Sequence, residues 1–224
     1  IKEKPLSFLN NLIDKFNTKI PKGIPKMAAM LVGYFSYDLG RRFEKLPTQA
    51  EQDITLPEMA VGIYSQAIIF DHKSGQYFLV CPPEKRLTLE KYIQSLVSEQ
   101  IKDEQPSFIL TSSWQSNMDK ASYTEKFDQV QQYLLSGDCY QINLAQRFNA
   151  SYQGDEFQAY CALRTENKAP FSAFMRLDKA SILSLSPERF LQSKHNKVQS
   201  KPIKGTMPRS ADKKQDVANA EILA

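Results

Sequence analysis

The sequence predicts a mixed α+β protein, because helical and strand patterns both recur along its 224 residues. Two segments, Leu6–Phe16 and Tyr123–Leu134, carry apolar residues at helical spacing. Two others, around residues 71–75 and 194–197, place turn-forming residues between strand-like runs, which is typical of antiparallel hairpins. The length suits one large domain or two small ones with ample material for a core.

The composition argues against several classes of function. Charged residues make up 24% and the net charge is +4, with no basic block long enough to indicate nucleic-acid binding. No apolar run approaches the roughly 20 residues that cross a bilayer, and the first residues do not resemble a secretory signal. Cys81, Cys139 and Cys161 lack metal-site spacing. They indicate reduced thiols in a cytoplasmic protein.

The first half of the chain predicts a helix, strands and a second helix. Pro5 suits the first turn of the opening helix, and Gly33 marks a close backbone approach within the first strand. The predicted elements are, in order, a helix over Leu6–Phe16, a linker over Pro21–Lys26, a strand over Met27–Tyr37, a charged turn over Asp38–Glu44, strands over Met59–Phe70 and Gln76–Val80, and a helix over Leu87–Ile101.

The second half contains the clearest helix boundaries. Asp119 is expected to cap the helix that runs to Gly137. Cys139–Phe148 alternates as a strand would, which places Gln141 and Asn143 on one face. That face is either a solvent-exposed edge or the polar lining of a substrate cavity. A helix over Asp155–Leu163 and a strand beginning at Phe171 follow, and the last residues, 221–224, suggest the opening of another helix.

The most informative stretch is Ser181–Thr206. It predicts a strand that breaks at Ser186-Pro187 and a hairpin centred near His195-Asn196. Residues whose numbers sum to about 391 then face each other, so Glu188 lies within roughly one residue of Lys204. One interpretation is an exposed ion pair. The other is a chemical site, which the setting of Lys204 between an apolar residue and a glycine favours.

Several motifs resemble those of the chorismate-utilising enzymes, most closely the branch that forms 4-amino-4-deoxychorismate for para-aminobenzoate and folate biosynthesis. The motifs are Ser186-Pro187-Glu188-Arg189-Phe190, Pro202-Ile203-Lys204-Gly205-Thr206, Gly33-Tyr34-Phe35-Ser36-Tyr37-Asp38, Gly137–Leu144 and Ala169-Pro170-Phe171. The resemblance implies an α+β fold of antiparallel sheets packed as a sandwich with outer helices. It also implies that residues 1–224 are a partial copy of one chorismate-binding domain, without a leading segment and the C-terminal half.

The resemblance also assigns roles to individual residues. Glu188 would be the general acid that protonates the departing hydroxyl of chorismate, and Lys204 the nucleophile that adds at ring carbon 2. Gln141, Gly205 and Thr206 would contact the substrate. An amide at Gln141 cannot accept a proton as a lysine base would, which argues against water addition.

A second set of residues matches a tryptophan-binding pocket of the family, expected to lie far from the chemistry. Pro170, Phe171 and Ser172 would form one wall, and the missing leading segment the other. A plain strand start with a core phenylalanine is an equally good interpretation of these three residues.

The remaining implications concern groups beyond this chain. Mg²⁺ is expected to bind to glutamates of the absent C-terminal half, so that this chain holds no metal ligands and is inactive alone. Ammonia would come from a separate glutamine amidotransferase subunit. Two other functions stay open: an anthranilate synthase, which usually carries alanine at the position of Lys204, and a tryptophan-binding regulatory module without turnover.

Overall fold

The structure is a computed structural model that describes residues 4–16, 31–49, 52–98, 107–194, 196–203 and 205–223. The chain divides into two compact units, Ile1–Lys102 and Asp103–Ala224. The helices are α1 (Pro5–Lys15), α2 (Arg86–Ser98), α3 (Lys120–Ser136), α4 (Glu156–Asn167) and α5 (Lys213–Leu223). The strands are β1 (Leu31–Phe35), β2 (Met59–Ile63), β3 (Ala67–Asp71), β4 (Gln76–Val80), β5 (Ile109–Leu110), β6 (Gln115–Ser116), β7 (Phe148–Asn149), β8 (Tyr152–Gln153), β9 (Phe171–Arg176), β10 (Ser181–Ser186), β11 (Gln192–Lys194) and β12 (Lys197–Gln199).

Every strand pair among the described residues is antiparallel, which confirms the predicted α+β class. The pairs are β1–β2, β3–β4, β5–β8, β6–β7, β9–β10 and β11–β12. No helix within the described ranges is both long and apolar enough to span a membrane.

The first unit confirms the close approach expected at Gly33. Gly33 faces Val61 across the β1–β2 pair, and a Cβ at Gly33 would lie only 2.1 Å from the carbonyl oxygen of Ala60. Any side chain there would force the two strands apart, so glycine is required by packing.

The single strand predicted over Met59–Phe70 is wrong. The run contains β2 and β3 separated by Tyr64–Gln66, and the two strands have different partners, β1 and β4. The break contains two polar residues, Ser65 and Gln66, which mark an interruption in the apolar run. The sequence pattern does not show that the strands on either side pair with different partners. The charged turn predicted after β1 contains a short 3-10 helix, Tyr37–Arg42.

In the second unit, the helix predicted between Asp119 and Gly137 is confirmed. The Asp119 carboxylate accepts a hydrogen bond from the backbone N–H of Ser122 at 2.8 Å, and Gly137 ends α3 with φ of 79°. Both features satisfy backbone groups that a helix end leaves unpaired.

The core of this unit lies between α4 and the β9–β10 ribbon. Tyr160 and Ala159 are buried, and the Phe174 ring packs against Phe157 at 5.1 Å and Tyr160 at 5.6 Å between centroids. Strand β9 spans the predicted residues. Helix α4 is capped by Asp155, which accepts from Phe157 N–H at 2.9 Å, and it extends beyond its predicted end.

Two predictions fail in this unit. The alternating segment Cys139–Phe148 forms a strand only from Phe148 onward, in a two-residue pair with β6. An alternating pattern becomes a strand only where a neighbouring strand pairs with its backbone, and the described residues offer none along 139–147. The helix expected to open at Glu221 begins instead at Lys213.

Candidate active site

The β9–β10 ribbon places Glu188 at its open end. Ser186, the last residue of β10, faces Phe171, and its hydroxyl donates to the carbonyl oxygen of Glu188 at 2.8 Å. Pro187 has no N–H and cannot extend the ladder. The chain therefore leaves the ribbon at this point with the half-buried Glu188 side chain held by a local bend.

The following hairpin has the predicted centre. Gln192 faces Gln199 and Lys194 faces Lys197, so the facing residue numbers sum to 391. Asn196 has a φ of 59°, the left-handed conformation that tight two-residue hairpin turns require and asparagine tolerates. His195 lies outside the described residues.

The carboxylate of Glu188 reaches the chain segment that carries Lys204. Its Oε2 accepts a hydrogen bond from the backbone N–H of Ile203 at 3.0 Å. The numbers 188 and 203 also sum to 391, as those of the facing residues in the hairpin do, although strand pairing itself is confined to Gln192–Lys194 and Lys197–Gln199. Lys204 itself lies outside the described residues. The structure thus brings Glu188 to the residue that precedes Lys204.

The segment after Lys204 is attached to α5. Gly205 has a φ of 88°, and a Cβ there would lie 3.2 Å from the Leu223 side chain. The Asn219 amide donates to the carbonyl oxygen of Pro208 at 2.7 Å. Arg209 donates two hydrogen bonds of 2.8 Å to the Asp216 carboxylate.

These contacts attach residues 205–209 to α5. The Arg209 guanidinium lowers the pKa of Asp216, so that pair is ionised at neutral pH. Ile203 is bonded to Glu188, and the segment that begins at Gly205 is bonded to α5 through Pro208 and Arg209.

Arg189 is a residue of this region that sequence reasoning missed. Its Nη2 donates to the Gln199 side-chain oxygen at 2.6 Å, and its guanidinium carbon lies 5.9 Å from the centre of the Phe171 ring. Its Nε is buried without a hydrogen-bond partner in the described structure. The hairpin register places Pro202, not Gln199, opposite Arg189. Counting facing residues along the two strands therefore does not predict the contact between Arg189 and Gln199.

The other predicted site residues are less constrained. Gln141 is exposed in a segment that forms no strand among the described residues, so the shared strand face expected for Gln141 and Asn143 is wrong. Thr206 is exposed as well. The assignment of Gln141 and Thr206 as substrate contacts stays a prediction.

Three residues predicted to bind tryptophan, Pro170, Phe171 and Ser172, lie at the start of β9. Pro170 is exposed, and the Ser172 hydroxyl donates to the carbonyl oxygen of Ala169 at 2.8 Å. Phe171 contacts Arg189, the residue after Glu188. The assignment of these residues to a tryptophan site stays a prediction.

The described residues do not by themselves fit a magnesium ion. No three side chains of His, Cys, Asp or Glu converge within the described part of the chain. Mg²⁺ prefers several oxygen ligands in octahedral geometry, which these described residues alone do not supply. The three cysteines are free thiols.

Comparison with known proteins decides the family. A family model described as chorismate binding enzyme matches residues 2–224. The chain belongs to this family. It is 49% identical over 227 residues to aminodeoxychorismate synthase component 1 of Escherichia coli (strain K12), covering 99% of this chain and 48% of that protein. It is 52% identical over 196 residues to the component 1 of Klebsiella aerogenes, covering 86% of this chain and 42% of that protein.

A solved structure shows the same fold. Anthranilate synthase component I from Streptococcus pneumoniae TIGR4 superposes with a TM-score of 0.71 at 22% identity, covering 88% of this chain and 47% of that chain. The chain has the chorismate-binding fold predicted from its motifs. It spans about half the length of the curated relatives it matches.

Proposed function

We propose that the protein containing this chain aminates chorismate, giving 4-amino-4-deoxychorismate for para-aminobenzoate and folate biosynthesis. The observation that carries the proposal is the hydrogen bond from the N–H of Ile203 to Glu188 at 3.0 Å, because it holds a carboxyl group beside the residue that precedes Lys204. Sequence identities of 49% and 52% to two aminodeoxychorismate synthase component 1 proteins support the same reaction.

The chemistry requires an acid and a nucleophile together. Hydroxide is a poor leaving group, so the oxygen at ring carbon 4 must receive a proton as its bond breaks. Glu188 gives that proton, and the Lys204 amine forms a bond to carbon 2 while the ring double bond shifts and water leaves. Ammonia then forms a bond to carbon 4, and the bond between Lys204 and carbon 2 breaks. Two allylic displacements replace one difficult substitution.

The proton inventory of this pair is balanced. A neutral lysine beside a protonated glutamate carries the same total number of protons as the ion pair of ammonium and carboxylate. Only the transfer of one proton from lysine to glutamate is therefore needed. Closure of the site over chorismate would remove water and favour the uncharged form of the pair. Because Oε2 of Glu188 is occupied by Ile203, Oε1 is the oxygen that carries the proton.

Other assignments complete the proposal. Gln141, Gly205 and Thr206 contact chorismate, and Pro170, Phe171 and Ser172 contribute to a tryptophan site. Mg²⁺ would be held by residues outside 1–224 and would there supply a positive charge to a substrate carboxylate. A glutamine amidotransferase subunit supplies ammonia. The free thiols of this chain suit a cytoplasmic protein.

The test uses the full-length protein with chorismate, Mg²⁺ and an ammonium salt, and it identifies the product by chromatography and mass spectrometry. We expect 4-amino-4-deoxychorismate, and its loss in Lys204→Ala. The matched control is Lys194→Ala, which removes an exposed lysine of the same hairpin. This variant should retain activity. Anthranilate as the product, or tryptophan binding without turnover, would contradict the proposal.

A further inference from the structure

The hairpin between Glu188 and Ile203 is short. Strands β11 and β12 contribute three residues each, all of them exposed. A two-stranded ribbon of this size has marginal stability in water by itself. A slip of one residue would turn facing side chains to opposite sides, so something outside the ladder must hold the register.

Arg189 joins the three pieces of chain that define this register. It follows Glu188 directly, donates to Gln199 at the end of β12, and lies against Phe171 at the start of β9. Phe171 in turn faces Ser186, whose hydroxyl bonds to the Glu188 carbonyl. A slip of β12 along β11 would carry Gln199 away from Arg189.

We propose that Arg189 is a positioning residue, which fixes the hairpin register through Gln199 and Phe171 and so holds the Glu188 carboxyl at Ile203. The role in catalysis rests on the proposed function, whereas the role in alignment does not. Arginine suits the task better than lysine, because its planar group can stack on a ring while its fork donates in the same plane.

The test compares Arg189→Met and Gln199→Leu in the full-length protein. Each removes one side of the same hydrogen bond, and methionine keeps a long apolar stem against Phe171. The lost hydrogen bond should lower the thermal unfolding midpoint by about 2–4 °C. In Arg189→Met, removal of the buried Nε, which has no partner, should offset part of this loss. The amide hydrogen exchange of Ile203 should become at least about tenfold faster in both variants, as a locally opened bond requires.

The kinetic result separates alignment from binding. With ammonium as the nitrogen source, kcat should fall by about 10- to 100-fold, which is the scale of a misplaced catalytic group. KM for chorismate should change little. The double variant should be no worse than either single one, because both remove the same interaction. Arg189→Lys should restore part of kcat.

Arg86→Met is the matched control, since Arg86 also donates to one side chain, Glu90, at 2.8 Å but lies on α2 in the other unit. It should change neither Ile203 exchange nor kcat. Wild-type exchange rates at Ile203 in Arg189→Met and Gln199→Leu would overturn the proposal. So would additive losses of kcat. A wild-type enzyme that makes no 4-amino-4-deoxychorismate would instead refute the proposed function, while the exchange measurement would still decide alignment.

Discussion

Replacing Glu188 in two ways separates its structural bond from its proton. In Glu188→Gln the side-chain oxygen can still accept from the N–H of Ile203, which lies 3.0 Å from Oε2 in the wild type, but the amide cannot act as an acid. In Glu188→Ala both functions are lost. The two variants should therefore have similar catalytic defects and different stabilities.

The magnitudes follow from the setting of the carboxyl group. A positioned general acid contributes about 10²- to 10⁴-fold to the rate, so kcat should fall by that factor in Glu188→Gln. The hydrogen bond to the backbone of Ile203 is exposed, and such a bond contributes about 0.5–1 kcal/mol. Glu188→Ala should lower the free energy of unfolding by about that amount, and Glu188→Gln by much less.

The assay measures amination of chorismate with ammonium at saturating substrate, together with urea unfolding of the same samples. The matched control is Glu84→Gln, which changes a carboxylate in the 3-10 helix Pro83–Lys85 of the other unit. Retention of wild-type kcat in Glu188→Gln would refute the role of this carboxyl as an acid. Equal stability of Glu188→Ala and wild type would show that the bond to Ile203 contributes nothing to the fold.

Three further predictions concern the scaffold. Asp119→Ala should lower the free energy of unfolding by about 1 kcal/mol in a urea titration, because it removes the cap of α3; Asp119→Ser should restore most of it. Gly33→Ala should cost about 1–3 kcal/mol, since its Cβ would meet backbone at 2.1 Å, whereas Gly40→Ala, with its nearest atom a side-chain carbon at 3.4 Å, should cost much less in the same titration. The pKa of Asp155 is lowered by the Phe157 N–H and then by Arg176, so its contribution is present above its unfolded pKa of about 3.9 and is lost as pH falls through the lower folded value; urea midpoints measured from neutral to acid pH should fall less steeply in Asp155→Asn, and identical slopes would contradict this origin.

The sequence was most informative where the chain carries its own boundary signals. Asp119 and Gly137 define α3 because a cap and a left-handed glycine act on adjacent backbone groups, without help from distant residues. The centre of the β11–β12 hairpin was predictable for the same reason, since Asn196 supplies the turn conformation locally. The approach of Glu188 to Ile203 then followed from counting along two strands.

It was least informative where a partner strand decides the structure. Residues 139–147 alternate as a strand does, yet no described strand pairs with them. Met59–Phe70 is interrupted by the polar residues Ser65 and Gln66, yet nothing in the sequence shows that β2 and β3 pair with different strands. The contact between Arg189 and Gln199 could not be predicted from the register, because the register gives only the residues directly opposite each other. The long Arg189 side chain instead reaches a residue three positions away from the one opposite it.

The central claim is that Lys204 forms a covalent bond to chorismate while Glu188 supplies the proton. The most direct measurement mixes full-length protein with chorismate and Mg²⁺ without ammonia, quenches the mixture rapidly and maps the peptides by mass spectrometry. The account predicts a modification equal to chorismate less one water on Lys204, absent from Lys204→Ala and reduced in Glu188→Gln. An unmodified Lys204 in an enzyme that still aminates chorismate, together with a wild-type rate in Lys204→Ala, would contradict it.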